Sequence, residues 1–431
     1  MLNRPIEHKF RNYFLVLMVL FYNSSPFFSL ITFQYWCFLI IILIFYVDKT
    51  KFFNATIFLI ISLVLLLSII QSFFYGGLSI ALFYKPFLLF FTPYLLYRIM
   101  GISYYKYLVN LIYYLAILSI FLWLFQNIFQ YFFINLANQL SVYSWDVTKS
   151  SLLFYTVEST PISGGINLTR NSGPFHEPGA FSIYLILAIL MNTLYSKKFY
   201  DKKNIILILV MISTFSTTGF ILLSIFILYT IIKSNINIIF KIFSYTIFSL
   251  SIFILYRDSP FLSEKIEDQY RSESYRFRTG DEYSRGRFFS FLQSANLVLK
   301  NPIIGQGIIE KTKHSEIKSE YMVGYGFIGF FMNYGVILGI SYLIFFYLGI
   351  VKFCNIFLFS RQYAIIVFII LQLALLSQGF FLHLSFSLFF IIGLYRKESN
   401  PLDILRSSEG NVTYLNYTYV QEGKNNYFDR F

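Results

Sequence analysis

Apolar runs of about twenty residues recur along the whole chain and constrain its fold more than any other feature. A helix of that length crosses a hydrocarbon core about 30 Å thick. Only 13% of the residues are charged and 57% are hydrophobic, whereas about a quarter of the residues in soluble domains are charged. The sequence therefore predicts an all-α, polytopic membrane protein with about twelve transmembrane helices. The sixth span is predicted over 179–195, and the STFSTTG stretch at 213–219 is predicted to break the long apolar stretch 204–233 into the seventh and eighth. Residues 1–431 would form a single integral membrane domain.

The basic residues indicate how the chain is oriented. The net charge of +13 would fit nucleic-acid binding if these residues formed one patch. They lie instead in short clusters between apolar runs, as the positive-inside rule predicts for cytoplasmic loops. The densest cluster comprises Lys197, Lys198, Lys202 and Lys203. We therefore expect membrane lipid around the protein, no nucleic-acid partner, cytoplasmic N- and C-termini, and a cytoplasmic tail over 396–431.

Two long polar segments interrupt the apolar pattern, at 134–176 and at 257–324. When the crossings are counted from a cytoplasmic N-terminus, both segments become loops on the outer, periplasmic side. The second loop contains many Lys and Arg residues, but long loops are translocated largely regardless of charge. We expect the chemistry of the protein to lie in these two periplasmic loops.

Motifs for nucleotide, metal or redox chemistry are absent from the sequence. There is no P-loop, no GxGxxG after a strand, no HExxH, no CxxC and no GxSxG. Cys37 and Cys354 are too isolated for a disulfide framework or a metal cluster. We therefore predict no metal and no cofactor.

The first candidate site is the decapeptide RNSGPFHEPG, from Arg170 to Gly179, directly before an apolar run. It combines the cation of Arg170, the imidazole of His176 and the carboxylate of Glu177, which is what a glycosyl or phosphoryl transfer site needs. Glu177 followed by Pro178 is also a common helix N-terminus. Helix capping and acid–base catalysis both remain open for Glu177.

The second candidate site is SRGR followed by an amphipathic helix predicted over 285–300. Apolar residues recur there at spacings of three and four, at Phe288, Leu292, Ala295 and Leu299. Arg285 and Arg287 fall in the first turn, where the helix dipole disfavours a cation unless an anion is near. A diphosphate would be such an anion, and so would a lipid headgroup.

Two further ionisable residues are candidates. His314 lies in the second loop and could act as a base near neutral pH, although a lone loop histidine usually has no function. Lys85 falls within the predicted fourth span, over 78–97. A charge there either faces the bundle interior, as a functional residue does, or extends to the membrane surface.

Three stretches of the chain resemble the O-antigen polymerase and ligase superfamily of membrane glycosyltransferases. They are the segment from Arg170 to Gly179, STFSTTG at 213–219, and GRFFSFLQSANLVLKNPIIGQG at 286–307 before a histidine. The resemblance implies that arginines of two outer loops bind the diphosphate and the sugars of undecaprenyl-diphosphate-linked oligosaccharides. By position, Arg170 matches the first-loop arginine, and Arg285 or Arg287 matches the second-loop arginine.

The resemblance implies an enzyme of the bacterial inner membrane that polymerises oligosaccharide repeats without a metal, for O-antigen or a related surface polysaccharide. Its catalytic candidates are His314, Glu177 and His176, and its substrate-binding candidates are Arg170, Arg285, Arg287 and Lys85. Ser315 and Glu316 follow His314, which departs from the ligase pattern and favours a polymerase. A ligase and a lipid-linked oligosaccharide flippase remain the alternatives. A chain-length regulator and a flippase are the protein partners to expect.

Overall fold

The chain is predominantly α-helical wherever its structure is described. The computed structural model describes residues 4–24, 39–40, 42–44, 46, 54–75, 86–140, 143–146, 149–152, 154–158, 168–234, 237–246, 250, 287–307, 326–377 and 383–395.

The described helices follow the apolar runs of the sequence. In chain order they are α1 (Arg4–Ser24), α2 (Ala55–Tyr75), a π-helical turn (Phe87–Phe91) continuous with α3 (Thr92–Met100), α4 (Ser103–Ile128), α5 (Gln130–Leu140), α6 (Pro178–Ser196), α7 (Lys202–Ser213), α8 (Thr217–Lys233), α9 (Arg287–Lys300), α10 (Gly326–Ile356), α11 (Arg361–Ser377) and α12 (Leu384–Leu394). Residues 238–246 are also helical.

Four of the described helices, α2, α4, α6 and α10, are long and apolar enough to cross a membrane. In the most apolar part of α2 only 28% of the residues are buried within the protein, and in α4 and α10 only 33%. Large apolar side chains of α2 and α4 therefore point away from the protein, among them Leu59, Leu63, Phe73, Phe121 and Phe125. Such extensive exposed apolar surface fits a lipid environment, so the protein is compatible with a position in a membrane.

Helix α6 forms the centre of the bundle. In its most apolar part 89% of the residues are buried within the protein, because α4, α7, α8 and α11 all pack against it. Pro178 at its first turn fits the geometry of a helix start. Its observed bounds differ by one residue at each end from the predicted span 179–195.

Glycines allow α10 and α12 to come into backbone contact. A Cβ atom on Gly349 would lie 1.8 Å from the carbonyl oxygen of Phe389, and one on Gly393 would lie 1.8 Å from that of Phe345. The obstructing atoms belong to the backbones of packed helices, so they cannot rotate away. Small residues of this kind let membrane helices approach closely.

Helix α10 is broken at Gly335, whose φ of 82° and ψ of 166° are not helical. The loop over 301–307 packs into the break and replaces lost helical hydrogen bonds, since the Val336 N–H donates to the Pro302 carbonyl at 2.7 Å. Gln71 of α2 donates from Nε2 to two more carbonyls at this junction, at 2.6 and 2.7 Å. A broken helix at membrane depth is tolerated where other parts of the protein satisfy its backbone in this way.

The first polar segment contains a small β-sheet that the all-α prediction missed. Strands β1 (Tyr143–Asp146), β2 (Lys149–Leu152) and β3 (Tyr155–Glu158) pair antiparallel in that order. The sheet packs on α5 through a minor apolar core of Phe133, Ala137, Tyr155 and Val157. Helix α5 extends to Leu140, so regular structure continues into the segment that was predicted to begin as a loop at residue 134.

The predicted break at STFSTTG is confirmed, because α7 ends at Ser213 and α8 begins at Thr217. Helix α7 has only 12 residues, which span about 18 Å, less than the about 30 Å of a hydrocarbon core. The two helices form a short hairpin whose turn lies beside the N-terminal part of α6. The total of about twelve spans and the periplasmic side of both loops stay predictions.

We predict that Gly349→Ala lowers the free energy of unfolding by about 3 kcal/mol, since the added methyl group overlaps a backbone carbonyl in a packed interface. The thermal midpoint of the full chain in detergent measures the change. Gly339→Ala is the matched control, because its methyl group meets only the ring of Phe331, a side chain that can move. Equal midpoints for the two variants would contradict the backbone contact.

Candidate functional site

The polar segment before α6 is attached to the end of α4 through Thr169. The Thr169 N–H donates to Oδ1 of Asn127 at 2.7 Å, and its hydroxyl oxygen accepts from Nε2 of Gln126 at 2.9 Å. The Thr169 carbonyl accepts a third hydrogen bond, from the indole N–H of Trp123 at 2.7 Å. Three side chains on one face of α4, spaced i, i+3 and i+4, thus determine where the next residue, Arg170, begins.

Asn171 joins three separate segments of the bundle and is fully buried. Its Nδ2 donates to the hydroxyl of Ser213 at the end of α7, at 3.0 Å, and to that of Ser119 in α4, at 3.3 Å. Its Oδ1 accepts from the Gly173 N–H at 2.9 Å. The backbone N–H of Asn171 donates to the Ser213 carbonyl at 3.1 Å, so the side chain and the backbone bind the same residue.

A buried acid, Glu158 at the end of β3, lies beneath this segment. It is 3% exposed, its Oε1 accepts from the hydroxyl of Ser172 at 3.0 Å, and its carbonyl accepts from Nε2 of Gln126 at 2.6 Å. Tyr155 donates to Oε1 of Gln126 at 2.7 Å. Burial, and then the charge of Glu158, raise the pKa of Tyr155 well above its usual value, so this hydroxyl stays protonated as a donor. Glu158 lies outside all of the motifs that the sequence analysis identified.

The STFSTTG turn packs directly on the RNSG segment, so two of the stretches that carry the family resemblance meet in the structure. Arg170 donates from a terminal guanidinium nitrogen to the Phe215 carbonyl at 3.3 Å. Phe215 has a φ of 46°, a left-handed conformation that a bulky residue adopts at a cost. Ser182 of α6 donates to the hydroxyl of Ser216 at 3.2 Å. The turn therefore places a backbone carbonyl beside the arginine.

His176 and Glu177 lie at the end of this segment and are both half-buried. Glu177 is the N-cap residue of α6, as the capping interpretation requires, yet its side chain makes no capping hydrogen bond to the helix. Its carbonyl accepts from the Phe181 N–H at 3.1 Å. The ring of Phe175 stacks on that of Phe181 at 5.5 Å, which forms an apolar layer next to the two ionisable groups.

A second histidine lies below this layer. His383 directly precedes α12, and its Nδ1 is 3.3 Å from the hydroxyl of the buried Tyr184 in α6. His383 is within electrostatic range of His176. An ionisable residue inside a membrane bundle is a functional candidate. The sequence alone does not single out His383, because its partner on α6 is 199 positions away along the chain.

Arg170, His176 and Glu177 all lie in the one segment before α6, whereas the other predicted site residues are not tested. Lys85, Arg285 and His314 lie outside the described residues. Arg287 is the first residue of α9, in agreement with the predicted amphipathic helix, and its side chain is not described. Among the described residues no group of three or more His, Cys, Asp or Glu side chains could hold a metal ion.

Together these features define a helical protein suited to a membrane, with a cluster of ionisable and hydrogen-bonded side chains at one end of its central helix. No model of a known protein family, no curated protein and no solved structure matches the chain.

We predict that Asn171→Ala lowers the free energy of unfolding by about 3 kcal/mol, since it leaves the Gly173 N–H and two serine hydroxyls without their buried partner. Thermal unfolding of the full chain in detergent measures this. Asn135→Ala, at an exposed position of α5, is the control and should change stability by less than about 0.5 kcal/mol. A similar small effect at Asn171 would mean that other residues hold the segment.

Proposed function

We propose that the chain is a membrane glycosyltransferase that polymerises undecaprenyl-diphosphate-linked oligosaccharide repeats at the outer face of a bacterial inner membrane. The observation that carries the proposal is the position of Arg170, His176 and Glu177 within one segment held by buried hydrogen bonds at the start of α6. A cation, an imidazole and a carboxylate are thereby placed at one end of an otherwise apolar bundle. Their preorganised support is what a transfer site requires.

Arg170 suits the diphosphate of the donor. A guanidinium binds phosphate oxygens with a planar, forked set of donors and remains charged at every physiological pH. The hydrogen bond to the Phe215 carbonyl orients this group, and the adjacent Asn171 holds its backbone against α7. Arg285 and Arg287, from the second loop, would add charge on the same leaving group.

The reaction joins two lipid-linked saccharides. A hydroxyl oxygen of the acceptor repeat forms a bond to the anomeric carbon of the donor, and the bond from that carbon to the diphosphate oxygen breaks. The electron pair leaves with undecaprenyl diphosphate, where Arg170 stabilises the charge. The hydroxyl proton passes to a general base. Glu177 is our choice for the base, because its carboxylate belongs to the same segment as Arg170 and lies at the start of α6.

His176 and His314 are the other candidates for proton transfer. His176 is half-buried next to Glu177, and its position in the chain allows it to orient the acceptor or the carboxylate. His383 and Tyr184 continue the polar groups inward from His176. An imidazole can both donate and accept a proton, which suits a group that handles protons during transfer.

One observation favours a transporter of lipid-linked oligosaccharides as the second candidate function. Transporters often bind their cargo at helices that are interrupted within the membrane, and α10 is interrupted at Gly335. In this protein the break is filled by loop 301–307 and by Gln71. Arg170, which we assign to the diphosphate, lies at the start of α6 and not at this break, and for that reason we place the polymerase first.

We predict that a deletion strain that expresses the Arg170→Ala variant makes no surface-glycan ladder, because the diphosphate leaving group loses the cation that stabilises it. Gel display of the surface glycan, beside a blot of the membrane fraction, measures polymer and protein level. Arg361→Ala is the matched control, since Arg361 is an exposed arginine at the start of α11 and should leave the ladder intact. An unchanged ladder with Arg170→Ala would remove this residue from the site.

The same gel separates the candidate functions through the phenotype of the deletion strain. If the chain is a polymerase, its deletion leaves glycan core that carries a single repeat. If it is a ligase, its deletion leaves core without any repeat, while polymer accumulates on the lipid carrier. If it is a flippase, its deletion leaves single lipid-linked repeats on the cytoplasmic side. This outcome would contradict the polymerase proposal and support the transporter.

We predict that Glu177→Gln lowers the rate of polymer formation by about 100-fold at an unchanged protein level, since an amide of the same shape cannot accept the proton. Pulse labelling of surface glycan measures the rate. Asp201→Asn is the control, because Asp201 caps α7 with its side chain and Asn is an equally good N-cap. Normal polymer formation with Glu177→Gln would leave Glu177 as a helix N-cap and direct the search for the base to His176 and His314.

A further inference from the structure

A cavity of about 500 Å³ lies at the end of α6 remote from the candidate active site. It is a recess bounded by the C-terminal ends of α6 and α8 and by the connection between α10 and α11. Its lining includes Lys197, Lys198, Lys233, Phe199 and Tyr363. Helix α6 has 19 residues, so about 28 Å of helix separates this cavity from Glu177. The volume falls within the range of small-molecule sites, about 300–1,000 Å³.

The lining of the cavity is amphipathic and carries charge of one sign. Among the described residues that line it, three are lysines and none is an Asp or a Glu. Lys197 and Lys198 are exposed, and Lys233 donates from Nζ to the neutral amide oxygen of Gln362. The rest of the wall is mostly aromatic and aliphatic, with Tyr200, Phe357, Leu358 and Phe359 among its residues. A ligand for this surface needs an anionic group joined to a hydrocarbon.

The lysines of the cavity differ from the others in the same basic cluster. Lys203 donates from Nζ to Oδ1 of Asn110 at 2.7 Å and lies over the ring of Tyr113. Lys202 is exposed and does not line the cavity. All four lysines between 197 and 203 would serve equally as a topological signal. Only the lining lysines adjoin an apolar recess, and a topological signal does not require one.

Two connections that line the cavity have left-handed backbone, with a φ of 56° at Lys197 and of 61° at Leu358. Both residues follow the last turn of a helix, α6 and α10, where this conformation commonly ends the helix.

We infer that this cavity binds an anionic phospholipid of the surrounding membrane, with the headgroup phosphate among Lys197, Lys198 and Lys233 and an acyl chain along the aromatic wall. Charge complementarity selects the headgroup. The apolar lining selects a ligand with a hydrocarbon chain over a free anion. The site is independent of the transferase proposed above, and its ligand is a resident lipid rather than a substrate.

Native mass spectrometry of the full chain in neutral detergent tests the inference by titration with phosphatidylglycerol or phosphatidylcholine. We expect the first phosphatidylglycerol to bind at least roughly tenfold more tightly than phosphatidylcholine, because the lysines attract an anionic lipid. The triple variant Lys197→Gln/Lys198→Gln/Lys233→Gln should lose this preference. Lys202→Gln is the matched control, since it removes one charge from the same cluster and should keep the preference, whereas Lys198→Gln weakens it.

A second variant tests the apolar wall without changing charge. Thr230→Phe fills part of the cavity from α8 and should weaken phosphatidylglycerol binding while all three lysines remain. Equal affinity for the two lipids would overturn the inference. If Lys202→Gln and Lys198→Gln reduced the preference for phosphatidylglycerol equally, the binding would come from diffuse surface charge and not from this site. Displacement of the lipid by millimolar inorganic phosphate would show a free-anion site and overturn the assignment to lipid.

Discussion

The arrangement at the start of α6 depends on one buried side chain, that of Asn171. A buried amide is costly unless its donors and acceptor are paired, and Asn171 is paired with α4, with the end of α7 and with its own turn. These bonds fix the residues on both sides of it. Arg170 is thereby directed to the STFSTTG turn, and Ser172 to the buried Glu158. A single residue thus sets the relative positions of α4, α7 and the polar segment.

The sequence was informative about helices and less so about their partners. The length and hydropathy of the apolar runs predicted α6 to within one residue at each end, and the polar STFSTTG stretch predicted the break between α7 and α8. Each strand of the small sheet has only four residues, too few for a clear alternation of apolar and polar positions. Glu158 and His383 could not be chosen in advance, because their partners, Ser172 and Tyr184, meet them only through tertiary packing.

Left-handed backbone at bulky residues marks both ends of the central helix. Among the described residues the non-glycine positions with positive φ are Lys197, Phe215 and Leu358. The Phe215 carbonyl accepts from Arg170 near the N-terminal end of α6. The other two residues line the lysine-rich cavity at its C-terminal end. Each of the three residues follows the end of a helix, where left-handed backbone commonly terminates it. Three helix ends are therefore the points at which the chain turns toward the two proposed sites.

The burial of α6 has a consequence for biogenesis. Because α6 precedes α7, α8 and α11 in the chain, in a membrane it would enter the bilayer before most of the helices that enclose it. Its mean hydropathy of 1.6 is the lowest of the four long apolar helices, and it carries Ser182, Asn192 and Thr193, which are buried in the finished protein. A nascent α6 therefore exposes polar groups to lipid until the α7–α8 hairpin arrives. Pairing of Ser182 with Ser216, and of Asn192 with Asn204, then makes the hairpin an assembly step that converts a poorly lipid-soluble helix into the core of the protein.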